Sequence, residues 1–539
     1  MTRASRLALA NIWVAVLAFG LASAMAMMQA LSRANLELPF RTARMYYMSV
    51  TAHGTLMAIV FTTFFIMGMG YAFAARALRR PLPHERLAWW SFWVALAGTV
   101  VTAAAILAGK ATVLYTFYPP LKAHPAFYIG ATLLVVGSWG WCFVMLRALA
   151  LWRKEHSGEP IPLAMHGLAA TIVVWLLATI GVAAEMLFQL IPWSLGITET
   201  VDPLLARILF WWFGHPLVYF WLLPAYVIWY AVLPREAGGR LFSDPLARLV
   251  FVMFIVLSTP VGFHHQFMDP GIPAGWKLFH TFNTMWILFP SFVTAFTVVA
   301  SLEIGARERG GTGLFAWLGK LPWGDPLVAS ALCAMLLFAV GGFGGAINAS
   351  FGMNAMVHNT AWVPGHFHTT VGSAVALSFM GAAYWLVPRL SGRRLELEPM
   401  AKVQPYLWLL GMLLFSIPTH VTGLLGMPRR VYDASYGGDV TAEGWRILTG
   451  MSAVGGLLLF ASAAFFMLVM IFSAFAKKTD QPAIEFAEPL EPPSGKTVLF
   501  DRLGLWTVVA ALLIVAAYGY PILRHLGMER FGSPGYSPF

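Results

Sequence analysis

The sequence is poor in charge, acidic residues and cysteine. Of 539 residues only 11% are charged, against 59% hydrophobic, and the mean hydropathy is +0.71. A water-soluble globular chain carries about 25% charged residues, so this composition excludes a soluble fold. There are two cysteines, Cys142 and Cys333, both inside apolar runs and far apart. That excludes a disulfide framework and a cysteine-based zinc site. Long polar or low-complexity tracts are also missing, and no internal repeat is visible. The one polar, Pro- and Glu-rich stretch, Asp480 to Lys496, reads as a cytoplasmic linker inside one membrane domain covering 1–539.

What is abundant is hydrophobic sequence in runs longer than 18 residues, the length a helix needs to cross roughly 30 Å of hydrocarbon. The fold class is therefore all-α, a polytopic helix bundle. Thirteen spans are predicted, at approximately 9–31, 45–75, 88–108, 125–150, 165–192, 205–233, 247–270, 276–304, 327–348, 359–388, 403–426, 448–475 and 499–523. They are called span 1 to span 13 below. The first follows Arg3 and Arg6 and contains small residues, as a secretory signal does, but it is too long for one and reads as a true span.

With the N-terminus inside, 23 of the 35 Lys and Arg fall on the inner side. This excess predicts N-in, C-out. It also accounts for the net charge of +11: the basic loops face an anionic inner leaflet, and no nucleic-acid partner is expected.

Ionisable groups inside a bilayer are costly and usually functional. A single intramembrane histidine is more often a hydrogen-bonded packing residue than a ligand, so agreement in depth matters. Counting 1.5 Å per residue, His53 on span 2, His215 on span 6, His264 and His265 on span 7, and His366 and His368 on span 10 all fall in the outer half of the membrane.

Angles divide them. His366 and His368 are two apart and point about 200° apart on a helix, so they serve two different centres. His215 and Tyr219 share a face. His264 and His265 are adjacent and reach one ion only where the helix is irregular, which Pro260 and Gly262 supply. His215, His264 and His265 then make an all-imidazole set suited to copper or zinc. One histidine of span 10 remains for a haem with an open face, which can bind a diatomic gas. The other pairs with His53 on a closed, electron-transferring haem.

At these residues a family resemblance appears. Trp211-Trp212-Phe213-Gly214-His215-Pro216-Leu217-Val218-Tyr219, Pro260-Val261-Gly262-Phe263-His264-His265-Gln266-Phe267 and Trp362-Val363-Pro364-Gly365-His366-Phe367-His368 resemble subunit I of a haem-copper terminal oxidase of the B-type branch, in a match running from span 2 to span 12.

The resemblance implies reduction of dioxygen to water, two haems and one copper ion. His215, His264 and His265 would hold copper B, His366 the high-spin haem, and His53 with His368 the low-spin haem. Tyr219 would be linked covalently to His215 and act in catalysis. Arg429, Arg430 and His358 would meet haem propionates. The implied partners are a subunit II carrying copper A, a small single-span subunit and cytochrome c as donor, in a prokaryotic inner membrane. A quinol donor stays open; this chain has no copper A motif, so the separate subunit II would have to supply copper A.

Tyr226 and Tyr230 follow Tyr219 at i+7 and i+11, and Ser291 and Thr294 descend on span 8. The resemblance makes these the proton pathway. Two departures stand out. Leu217 occupies the place of a glutamate found in other oxidase branches, and span 6 has no acid. Asn354 stands where the B-type branch is expected to have an aspartate linked to proton exit. Glu185 is a lone acid on span 5, read as a structural hydrogen bond or as a proton or quinone group. The rival readings are a nitric oxide reductase, which would need carboxylates beside its metal, a histidine-lined metal transporter, and a pure electron-relay cytochrome. Each lacks part of this residue set.

Overall fold

The computed structural model describes residues 2–36 and 42–538, the side chains of Lys496 and Thr497 excepted. Among these residues twelve helices are long and apolar enough to cross a membrane. They are Arg3–Arg33, Ala43–Ala77, Glu85–Leu107, Pro125–Glu155, Leu163–Ser194, Pro203–Ala231, Ala274–Glu308, Pro326–Ala349, Trp362–Ser391, Glu398–Leu424, Thr441–Phe475 and Leu503–Leu526. Each corresponds to an expected span. Helices are the form this chain must take, since hydrocarbon offers no partner to a free backbone N–H or C=O. Short polar side chains at the water boundary cap them. Thr42, Asp202, Ser243 and Asp325 accept from the backbone N–H three residues on.

Span 7 is the exception. Its helix is only Asp244–Ser258, 15 residues, or about 22 Å at 1.5 Å per residue. Pro260 stops it, because proline has no N–H to continue the ladder and its ring crowds the carbonyl four residues back. The chain continues as an irregular segment that contains one 3₁₀ turn, Phe263–His265.

Contacts at the helix ends show that the chain alternates between two faces. Arg3 pairs with Glu85, and Leu241–Ser243 forms a parallel ladder with Pro489–Glu491, so the N-terminus shares a face with the loops after spans 2, 6 and 12. At the opposite face Thr200–Val201 pairs with Ser533–Pro534, and Leu121 bridges to Tyr536. The C-terminus therefore lies across the bundle from the N-terminus, as thirteen traverses require.

The stretch expected to be a plain linker is stitched to the inner loops. Arg76 donates to the Ile484 carbonyl (2.5 Å), Ala487 donates to Ala231 (2.7 Å), and Arg235 pairs with Glu485. Beside it Arg248, almost fully buried, is held between Asp244 (2.5 Å) and Asp501 (2.6 Å) and donates to the Ile161 carbonyl (2.6 Å). This cluster ties the inner ends of spans 5, 7 and 13 together.

Candidate haem and copper site

Three imidazoles meet where span 6 passes the broken end of span 7. One ligand atom from each of His215, His264 and His265 lies within 4.8 Å of the others. His215 Nδ1 and His265 Nε2 are 3.4 Å apart. That is long for a hydrogen bond, and it suits two nitrogens that share one ion at roughly 2.0 Å. The His264 ring stands at 90° to His215, with centroids 4.3 Å apart.

Each ring is fixed from behind. His264 Nδ1–H donates to Thr284 Oγ1 (3.1 Å), whose own hydroxyl donates to the His280 carbonyl (2.5 Å). This leaves His264 Nε2 for a metal. His265 stacks on Trp211 with centroids 3.7 Å apart. His215 Nε2 is buried without a partner, and the Tyr219 ring lies 5.1 Å from the His215 ring.

A cavity of about 230 Å³ opens beside this cluster. It is lined by the three imidazoles, Tyr219, Ser291 and His366. His366 comes from the opposite wall, with Nδ1 bonded to the Gly341 carbonyl of span 9 (2.9 Å), so its Nε2 is free. Span 9 approaches closely: a Cβ on Gly344 would sit 3.0 Å from His366 Nδ1, tighter than an ordinary contact.

His368 leaves the other side of the same helix. A second cavity of about 180 Å³ contains His368 and His53. Their rings are parallel within 1°, with centroids 6.1 Å apart. Their Nδ1 atoms are committed to the Pro364 (2.7 Å) and Ala22 (3.0 Å) carbonyls. Phe367, between the two histidines, lines both cavities. π-helical turns follow the ligands directly, at Thr55–Phe61 after His53 and Thr370–Val375 after His368. Such turns are frequent at functional sites.

At the outer end Arg429 lines both cavities, and Arg430 lines the second. Among the described residues Arg429 has no carboxylate partner, and its Nε is buried unbonded; one terminal nitrogen reaches Asn359 (2.9 Å). Burial, then Arg430, lowers its pKa to about 10. Burial, then Arg429 and Arg207, lowers His358 to about 4. The end of the cavities is thus short of anions, which suits the propionate edge of a haem. The donor set fits the expected groups: free imidazole nitrogens on opposed walls, planar apolar space between them, and unpaired guanidinium at one edge.

The model of the family described as cytochrome c and quinol oxidase polypeptide I matches residues 6–458. The chain belongs to the haem-copper oxidase subunit I family. It is 44% identical over 498 residues to cytochrome c oxidase subunit 1 of Thermus thermophilus, covering 91% of this chain and 88% of that one. It is 26% identical over 462 residues to a heme-copper oxidase subunit I+III of Aeropyrum pernix, covering 82% of this chain and 54% of that longer one. A heme-copper terminal oxidase dimer solved by cryo-electron microscopy superposes with a TM-score of 0.95 at 38% identity, covering 100% of this chain and 96% of that one. The protein is the catalytic subunit of a terminal oxidase, an enzyme of a family that carries haems and copper.

In this oxidase the expected tyrosine stripe is present below the first cavity. Tyr226 and Tyr230 have rings 6.1 Å apart, and the Tyr230 hydroxyl donates to Thr294 (2.7 Å). The Tyr226 hydroxyl faces Ser291 and Thr294 but is unbonded. Span 8 continues the line with Thr297 and Ser301, both buried, and the Ser301 hydroxyl accepts from the Phe242 N–H at the inner face (2.9 Å). Sequence reasoning missed these two, although they extend the Ser291–Thr294 spacing.

Asn354 donates to the His264 carbonyl (3.3 Å) and to the Asn348 carbonyl (2.7 Å). An ionised carboxylate makes neither bond. Glu185 is fully buried with no hydrogen bond to either oxygen, so the structural hydrogen bond expected of it is not formed among the described residues. His280 also escapes a reading of the sequence, because one histidine alone on span 8 makes no motif.

Proposed function

We propose that this subunit is of the B-type branch and reduces dioxygen to water between a high-spin haem on His366 and a copper ion on His215, His264 and His265. His53 and His368 would hold a low-spin haem, which would supply electron transfer to that centre. The count is two haems and one copper per chain. The observation that carries this reading is the meeting of three imidazoles, Tyr219 and His366 around one cavity.

When bound, the metals supply dioxygen binding and electrons. The chain supplies geometry and protons. Trp211 holds the His265 ring and Thr284 the His264 ring, so these side chains would be positioned to receive a copper ion. Tyr219 lines the cavity, and its ring lies 5.1 Å, centroid to centroid, from the His215 ring, whose Nε2 has no partner. A covalent bond between these two rings would fix the phenol there. Protons reach Tyr219 from the inner face along Tyr230, Thr294, Tyr226 and Ser291. Arg429, Arg430 and His358 neutralise and orient the propionates.

The B-type assignment is supported by Leu217, by the absence of any acid on span 6, and by the hydroxyl column as proton supply. Electrons come from cytochrome c through a separate subunit II carrying copper A; cytochrome c as donor agrees with the similarity to cytochrome c oxidase subunit 1 of Thermus thermophilus. A small single-span subunit completes the complex, in the inner membrane of a prokaryotic cell, and residues 1–539 act as one domain. Carbon monoxide binding to the reduced enzyme, followed with haem and copper analysis, tests the reading. A zinc ion in place of copper, or a closed face on both haems, overturns it.

A further inference from the structure

The segment that carries His264 and His265 lies between the helix ending at Ser258 and the one starting at Ala274, and its only regular element is the turn Phe263–His265. Two of the three histidines of the cluster therefore stand on backbone that does not hold itself. One face of span 8 grips it at three places. Lys277 Nζ donates to the Phe267 (2.6 Å) and Asp269 (2.8 Å) carbonyls. Thr284 takes the His264 ring. Between them, His280 Nδ1 accepts two backbone N–H groups, from Gly262 (3.1 Å) and Phe263 (3.2 Å).

His280 is fully buried, and its ring stacks on Phe263 with centroids 4.2 Å apart. An imidazole nitrogen that accepts two N–H groups carries no proton. The proton is on Nε2, which donates to the Ala517 carbonyl of span 13 (3.3 Å). One ring thus connects the ligand turn to the last helix with its tautomer fixed at both ends.

Span 13 is mostly exposed, with only Leu503, Ala510, Ile514, Ala517, Tyr518 and Pro521 of its helix buried, and it lies beyond the residues that the family model matches. Its buried side is nevertheless built against this turn. Tyr518 contacts Phe263 (5.1 Å), His280 (5.3 Å) and Trp212 (5.4 Å). A Cβ on Gly262 would stand 2.3 Å from the Tyr518 hydroxyl, so only glycine fits between turn and helix.

We propose that His280 is the positioning residue that fixes the copper-ligand turn, and that span 13 serves to hold His280 in place. It does not touch the metal; it sets the backbone from which His264 and His265 project. This rests on the copper reading given above.

The test uses the purified oxidase with His280→Phe, which keeps the stack on Phe263 and removes both hydrogen-bonding functions, and His280→Asn, which keeps an acceptor at the Nδ1 position. The readouts are copper per haem, the infrared stretch of carbon monoxide photolysed onto copper, and the low-spin haem spectrum as a check of assembly. His280→Phe is expected to show a normal low-spin haem, copper affinity lowered by about 10–100-fold and a shifted or broadened carbon monoxide band, with His280→Asn restoring copper. Full copper with an unshifted band in His280→Phe overturns the proposal. If His280→Phe does not assemble, His280→Asn decides: copper retained supports it, and copper lost beside an intact low-spin haem overturns it. Failure of both to assemble makes His280 a packing residue and also overturns it. Wild-type enzyme without copper would instead sink the underlying copper reading.

Discussion

His53 and His368 face each other with parallel rings, 1° between planes and 6.1 Å between centroids. Two metal–imidazole bonds of roughly 2.0–2.1 Å on opposite sides of one iron put ring centroids about 6 Å apart. This spacing would admit one metal ion between the rings, in support of the proposed low-spin haem, and Phe367, which lines both cavities, marks the boundary with the other one.

His53→Ala should lose the low-spin haem and leave carbon monoxide binding largely intact. His366→Ala should do the reverse, because that ring lines the cavity of the imidazole cluster. Reduced-minus-oxidised and carbon monoxide difference spectra of both variants check this. The opposite pattern would exchange the two faces of span 10.

Thr294→Val keeps the size and removes the hydroxyl that accepts from Tyr230. Turnover and proton uptake should slow by about tenfold or more with haem spectra unchanged. Tyr226→Phe should act likewise, through the gap between Ser291 and Thr294. Wild-type rates in both variants, measured by oxygen consumption and proton uptake, would return the tyrosines to packing.

Tyr219→Phe should reduce turnover by about a hundredfold or more while retaining both haems. In the wild-type enzyme, mass spectrometry of tryptic digests should find the single peptide that carries both His215 and Tyr219 lighter by two hydrogens than its sequence mass. Recovery of both residues unmodified from active enzyme would remove the covalent bond from the account.

Arg248→Ala should destabilise the bundle by about 3–5 kcal/mol, because it leaves Asp244 and Asp501 buried without their cation. Thermal unfolding of the detergent-solubilised protein reads this. A melting point within a degree or two of wild type would show that the cluster is open to water.

The spans and the histidine pattern are legible in the sequence for a physical reason. Bilayer-spanning segments must be apolar and helical, so length and hydropathy mark them, and histidines stand out against such a background. The opposed directions of His366 and His368 follow from helical geometry alone. Pro260 and Gly262 correctly announce the irregular end of span 7, although not that its helix stops at Ser258. The π-turns after His53 and His368 are invisible in the sequence, since no residue type encodes them. His280 is missed because its partners are backbone N–H groups of a distant turn, which leave no side-chain pattern. The strap formed by the 480–496 region reads as a linker because its contacts are made largely by its own backbone atoms, at Ile484, Ala487, Glu488 and Pro489, to loops far away in sequence.

We propose that one chain holds two haems and one copper in fixed places, and pyridine haemochrome analysis with copper and zinc determination on the purified protein measures this. The expected result is two haems and one copper per chain, with one haem binding carbon monoxide and the other not. One haem per chain, or zinc in place of copper, would contradict it.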